Sequence, residues 1–122
     1  TPNSDELRVL AGEKAVGGRI EIGQNLAKRV GQSVLLKGGH ELGESCQDWL
    51  LSAEGQKSVY SAPRLRSKNL RGTGCVLSSA IACYLGQGNP LPEAVQKGKS
   101  LLSESLEKGS TLDWGQSGPS LV

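Results

Sequence analysis

The chain of 122 residues contains no methionine and no phenylalanine, and its aromatic residues are two tryptophans and two tyrosines. A core must therefore be assembled from Leu, Val, Ile and Ala. Binding of nucleic acid draws on stacking aromatics or a basic stripe. Here aromatics are scarce, and the 14 Lys and Arg are interleaved with 12 Asp and Glu, for a net charge of +2. That composition argues against a nucleic-acid partner. No apolar run approaches the length of a membrane span, and no signal-peptide pattern is visible. No membrane partner is expected, and a cytoplasmic location is. The three cysteines, Cys46, Cys75 and Cys83, are an odd number without metal-ligand spacing, as suits a reduced compartment. Without a methionine, a chain that begins Thr1-Pro2-Asn3 is expected to be a piece of a longer protein.

Glycine is abundant: 17 residues, roughly twice ordinary usage, placed at element ends rather than in a repeat. These glycines punctuate a readable order. Ser4 suits the cap of a short helix with Asp5 and Glu6 in its first turn and Leu7, Leu10 and Ala11 inside. A second helix spans Ile20 to Val30, with Ile22, Leu26, Ala27 and Val30 on one face and Gly31 as its stop. Ser33 to Lys37, "SVLLK", is a continuous apolar run of the kind found in a parallel strand covered on both faces. Gln47–Leu51 and Lys57–Ser61 flank "SAEGQ" as a hairpin, and Pro63–Arg71 is an irregular basic connection. Val76–Leu85 forms a helix with Leu77, Ala80, Ile81 and Tyr84 on one face. A last helix runs from Pro92 to about Lys108, with Val95, Leu102 and Leu106 inside. Residues 1–109 form the folded part and 110–122 an irregular tail. Strands alternating with helices indicate an α/β fold, and a parallel sheet with one visible strand requires more strands ahead of Thr1.

Four places carry chemistry. Gly72, Thr73, Gly74 and Cys75 stand where a helix begins. The first amides of a helix have no partner within it and bear partial positive charge. Glycines there let an anion such as a phosphoryl oxygen approach the amides of Thr73, Gly74 and Cys75. A helix start also favours the thiolate form of a cysteine, so Cys75 suits the base that takes a proton from a substrate hydroxyl. It equally suits the packing of a tight turn, and four residues do not decide between the two. Lys37 lies just past the carboxyl end of a strand and enters Gly38-Gly39, where open α/β sheets bind ligands. A lysine there either neutralises phosphate or is merely solvated. Asn3 and Glu6 are three apart at a helix start, which fits Mg²⁺ held through water or simple capping. His40 reads as a structural or solvated loop residue, and Cys46 and Cys83 as packing residues.

"TPNSDE", "VLLKGGH" and "GTGCVLSSAIACYL", in this order and at these separations, resemble the carboxyl-terminal half of hydroxymethylpyrimidine and phosphomethylpyrimidine kinases of thiamine synthesis. These belong to the ribokinase-like superfamily, so the resemblance implies a three-layer α/β sandwich with a mostly parallel central sheet. It implies ATP and Mg²⁺ as cofactors and a small pyrimidine as substrate. Gly72, Thr73 and Gly74 match the family's anion hole, and Cys75 its base, where most ribokinase-like enzymes carry Asp. Lys37 matches the lysine that neutralises the transferring phosphates. Asn3 and Glu6 match the Asn-x-x-Glu motif that organises Mg²⁺ and phosphate, and Gly38 and Gly39 fall in the nucleotide and phosphate part of the site. Leu70-Arg71 departs from the Thr-His that usually precedes the glycine loop.

Family members are about twice as long, so the expected partner is a missing amino-terminal half, with a homodimer also possible. Phosphorylation of pyridoxal and a noncatalytic nucleotide-binding module are the alternative functions. The chain alone is expected to be inactive.

Overall fold

The computed structural model describes residues 1–12, 15–38, 45–63 and 72–110. The chain divides into two compact units, Thr1–Arg64 and Leu65–Val122.

The first unit holds two helices, α1 (Ser4–Ala11) and α2 (Arg19–Val30), and the strands β1 (Val34–Leu36), β2 (Ser45–Leu51) and β3 (Lys57–Pro63). Its core joins Leu7 of α1, Ile22, Leu26 and Ala27 of α2, Val34 and Leu36 of β1, and Leu51 of β2. Val34 and Leu36 share one face of the strand because side chains alternate. Leu35 points the other way, as does its cross-strand partner Leu50, and both are buried too. Gly23 lies against the sheet, where a Cβ would stand 2.7 Å from Leu51 Cδ1. Its bare backbone lets α2 approach closely.

The sequence reading of these elements needs three corrections. The cap of α1 is Asn3, not Ser4. Leu10 and Val30, expected inside, are 55% and 51% exposed. Each sits in the last turn of its helix, where the apolar stripe has run past its partners. The third concerns strand direction. The three strands form a sheet in the order β1-β2-β3, and both pairings are antiparallel, with Leu36 opposite Trp49 and Trp49 opposite Val59. An apolar run reports burial on both faces, and β1 has that, but it carries no information about the direction of a neighbour. The connection 37–44 is shorter than the dozen or so residues that a parallel crossover needs, so β2 returns antiparallel. The hairpin itself is where the sequence puts it, with Ser52 N donating to Gln56 O at 2.9 Å and Gly55 at φ 96° in its turn.

The second unit contains α3 (Thr73–Gly86) and α4 (Leu91–Ser110). Leu77, Ala80 and Ile81 of α3 are buried, as are Ala94 and Val95 of α4. The helices pack as an antiparallel hairpin: Gly98 faces Ile81, and Lys97 reaches back over the Tyr84 ring at 5.8 Å. Asn89 closes the turn, donating to Tyr84 O at 2.8 Å and accepting from Lys97 Nζ at 2.6 Å. Cys83 is exposed, contrary to the packing role expected of it. A spacing of four places Cys75, Ser79 and Cys83 along one line of α3, beside the buried stripe rather than on it.

Candidate functional site

In the first unit the Asn-x-x-Glu motif builds the start of α1. Asn3 Oδ1 accepts from Glu6 N at 2.8 Å, and Glu6 Oε2 accepts from Asn3 N at 2.7 Å. This is the reciprocal capping box. The capping function is thus real, but it leaves Glu6 more to do. The same Oε2 lies 3.8 Å from Lys37 Nζ, and the Glu6 side chain is 56% exposed. The structure therefore brings together Asn3, Glu6 and Lys37, which the sequence places 31 residues apart between Glu6 and Lys37 (37 − 6).

Backbone contacts explain the meeting. Lys37 N donates to Pro2 O at 2.9 Å, so the segment before α1 runs beside the end of β1. The next amide points the opposite way: Gly38 N donates to Asp48 Oδ1 at 2.8 Å. Asp48 is only 4% exposed. Continuing the register of Leu36 with Trp49 sets Gly38 across from Gln47. A Cβ at Gly38 would collide with the Gln47 carbonyl, so the lysine enters its loop through a place that only glycine fits. Gly39 and His40 lie outside the described residues.

Asp48 escaped the sequence reading. The signal was present in "QDWLL": Asp is depleted from strands, and one placed among apolar neighbours must be held by donors. Cys46, two residues earlier on the same face, points its thiol at the same Asp48 oxygen at 3.8 Å.

The second unit carries the glycine loop. Gly72 is the N-cap of α3, at φ 83°, a left-handed conformation that L side chains rarely adopt. Thr73, Gly74 and Cys75 are the first three helical residues. The helix thus begins three residues before the Val76 read from the apolar pattern. Among the described residues no side chain caps it, and no acidic residue stands in its first turn. The contrast with α1 is chemical. At α1 the protein fills the helix start with its own carboxylate; at α3 the start is glycine, with no acid in the first turn. An anion is the group such a start binds. The Cys75 side chain is exposed in that first turn. Leu70 and Arg71 lie outside the described residues.

A divalent metal finds limited support in the donor set. No group of three His, Cys, Asp or Glu side chains gathers among the described residues. One exposed carboxylate, Glu6, suits a hard cation that keeps its water shell. None of the described helices is long and apolar enough to cross a membrane.

Comparison with known proteins bears on the same motifs. The phosphomethylpyrimidine kinase family profile matches residues 1–120. The hydroxymethylpyrimidine/phosphomethylpyrimidine kinase of Escherichia coli is 40% identical over 96 residues, covering 79% of this chain and 36% of that protein. The thiamine biosynthesis multifunctional protein ThiED of Corynebacterium efficiens is 36% identical over 123 residues, covering 98% of this chain and 17% of that protein. The chain thus spans well under half the length of these relatives. In fold, the pyridoxal kinase of Bacillus subtilis in an ADP complex superimposes with a TM-score of 0.82 at 22% identity, over 98% of this chain and 46% of that one. The pyridoxal kinase of Staphylococcus aureus, in complex with AMP-PCP, gives 0.78 at 22% identity, over 97% and 44%. The fold is therefore ribokinase-like, its described strands supplying an antiparallel part of it, and the chain belongs to the phosphomethylpyrimidine kinase family.

Proposed function

We propose that the whole protein transfers the γ-phosphoryl group of ATP to the hydroxymethyl group of hydroxymethylpyrimidine, and then phosphorylates the resulting monophosphate. In this reading residues 1–109 supply the nucleotide and phosphate half of a kinase domain. The observation that carries it is the glycine-capped start of α3, free of acidic residues in its first turn and with Cys75 in that turn, in a chain that matches the family along its length.

Phosphoryl transfer asks a protein for position and charge rather than covalent chemistry. The amides of Thr73, Gly74 and Cys75 offer partial positive charge to the phosphoryl oxygens. Cys75 takes the proton of the substrate hydroxymethyl group as that oxygen attacks. Lys37 offsets negative charge on the transferring phosphates. It exchanges Glu6 for phosphate, since a contact of 3.8 Å to a carboxylate that is itself 56% exposed is weak enough to be exchanged. Glu6, released from Lys37, would hold Mg²⁺ through water, and the metal when bound supplies charge neutralisation at the phosphates. Gly38, with its amide held by Asp48 and its Cα against Gln47, passes Lys37 out of the sheet rather than admitting phosphate, which leaves Gly39 as the glycine of this pair for the nucleotide phosphates. A cytoplasmic location belongs to the same reading, in keeping with an odd number of cysteines without metal-ligand spacing.

The test is an ADP-release assay on the whole protein with hydroxymethylpyrimidine as acceptor, for wild type, Cys75→Ala and Lys37→Ala. Turnover in wild type and a drop of roughly 10²-fold in both variants are expected; unchanged turnover in both would remove the site assignment. Pyridoxal is the second acceptor to measure, because the fold is shared with pyridoxal kinases. A higher kcat/KM for pyridoxal would replace the pyrimidine reading.

A further inference from the structure

We infer that Asp48 is a positioning residue for Lys37, and that together with Pro2 it locks the point at which the lysine leaves the sheet. The inference rests on the kinase reading above. β1 ends at Leu36, and past that point the ladder between β1 and β2 gives way to side-chain contact. The Asp48 carboxylate takes over there, accepting Gly38 N at 2.8 Å. On the other side Lys37 N is held by Pro2 O at 2.9 Å. Two consecutive amides are thus pinned in opposite directions by groups from two different segments. A peptide held in this way has little freedom to rotate, and the direction of the Lys37 side chain is set with it.

The cost of the arrangement argues for a role. Burying a carboxylate is unfavourable unless donors surround it. Asp48 is 4% exposed and sits in a strand, a setting that disfavours Asp. A threonine or valine opposite Tyr60 would make a better strand. What Asp48 supplies that they would not is an acceptor long enough to reach the Gly38 amide.

The lock also extends to the other phosphate-side motif. Pro2 precedes Asn3, whose amide is bound by Glu6 Oε2, and the same oxygen faces Lys37 Nζ. The chain of contacts Asp48, Gly38, Lys37, Pro2, Asn3 and Glu6 is therefore continuous. It makes the Asn-x-x-Glu motif and the lysine one rigid assembly, so that a change at Asp48 is felt by a side chain it does not touch.

The experiment is a double-mutant cycle in the whole kinase. ATP titrations give kcat and KM, and calorimetry gives Mg·ATP affinity for variants with low turnover. Asp48→Ala should lower kcat/KM for ATP on the order of 10²-fold, the scale of a misplaced catalytic group. Asp48→Asn keeps an oxygen at the right reach and should recover activity to within about tenfold of wild type. In a Lys37→Ala background, Asp48→Ala should cost less than about threefold more, because the residue it positions is gone. A residue that only stabilises the fold would cost the same factor in both backgrounds, and that result overturns the inference. So does an Asp48→Ala enzyme with unchanged kcat/KM. If Asp48→Ala does not fold, as judged by circular dichroism, Asp48→Ser takes its place, since a serine hydroxyl does not reach the Gly38 amide. A wild-type protein that phosphorylates neither pyrimidine nor pyridoxal overturns the kinase reading itself, whereas an active wild type indifferent to Asp48 overturns the positioning role alone.

Discussion

Glu6 caps one helix and faces one lysine through a single carboxylate oxygen, so its substitution has two separable consequences. Asn3→Ala removes the acceptor of the cap and should cost about 1 kcal/mol of stability in urea unfolding. Glu6→Gln keeps the capping geometry but removes the charge, so it should leave stability nearly unchanged and raise the Mg²⁺ requirement of the assay. Cys75 and Cys83 are both exposed on α3, yet only Cys75 lies in the first turn of the helix. Iodoacetamide should modify both, and Mg·ATP with acceptor should protect Cys75 alone, as peptide mass mapping would show. Equal protection of the two would contradict the site. Cys75→Ala should lower kcat by roughly 10²-fold or more, the usual weight of a general base, with no loss of melting temperature.

At the level of elements, glycine sets how closely they approach. A Cβ at Gly98 would lie 2.9 Å from Ile81 Cγ1. Helix propensity alone predicts a gain of about 1 kcal/mol for Gly98→Ala. Because Cγ1 is close to the Ile81 backbone and cannot swing aside, we expect the opposite sign, a net loss of about 1–2 kcal/mol from overpacking of α3 on α4. Chemical denaturation of the variant measures it, and a stabilised variant would show that the helices separate freely. Gly38→Ala, whose Cβ meets backbone rather than a side chain, should be worse, at about 3 kcal/mol or more. The helices themselves were legible in the sequence because their apolar residues recur at helical spacing, and Gly12 and Gly31 close α1 and α2, though α4 runs through Gly109 to Ser110. Strand direction was not legible, since the triplet Val34-Leu35-Leu36 is buried on both faces whichever way its neighbour runs.

For the whole molecule, the relevant comparison is length. The chain matches its family over residues 1–120 and spans 36% of the Escherichia coli relative. On the proposed kinase reading we expect phosphorylation of pyrimidine by the whole protein and none by residues 1–122 alone, because these residues span so small a part of a whole kinase. An assay of both polypeptides at equal concentration checks this, and turnover by the shorter one would place the acceptor pocket within these residues.

The sequence by itself determined the family, through three motifs in register, and it determined the local chemistry of each motif. A capping pair, a glycine-lined helix start and a lysine after a strand are short-range features, written in neighbouring residues. Tertiary structure alone decided which of them meet. Glu6 and Lys37 come together only because Pro2 pairs with the end of β1. Asp48, silent as one acidic residue in a strand, becomes the buried anchor of Gly38 only because β2 returns antiparallel across from it. Contacts between distant residues depend on register and direction, and neither is encoded in the pattern of a single strand.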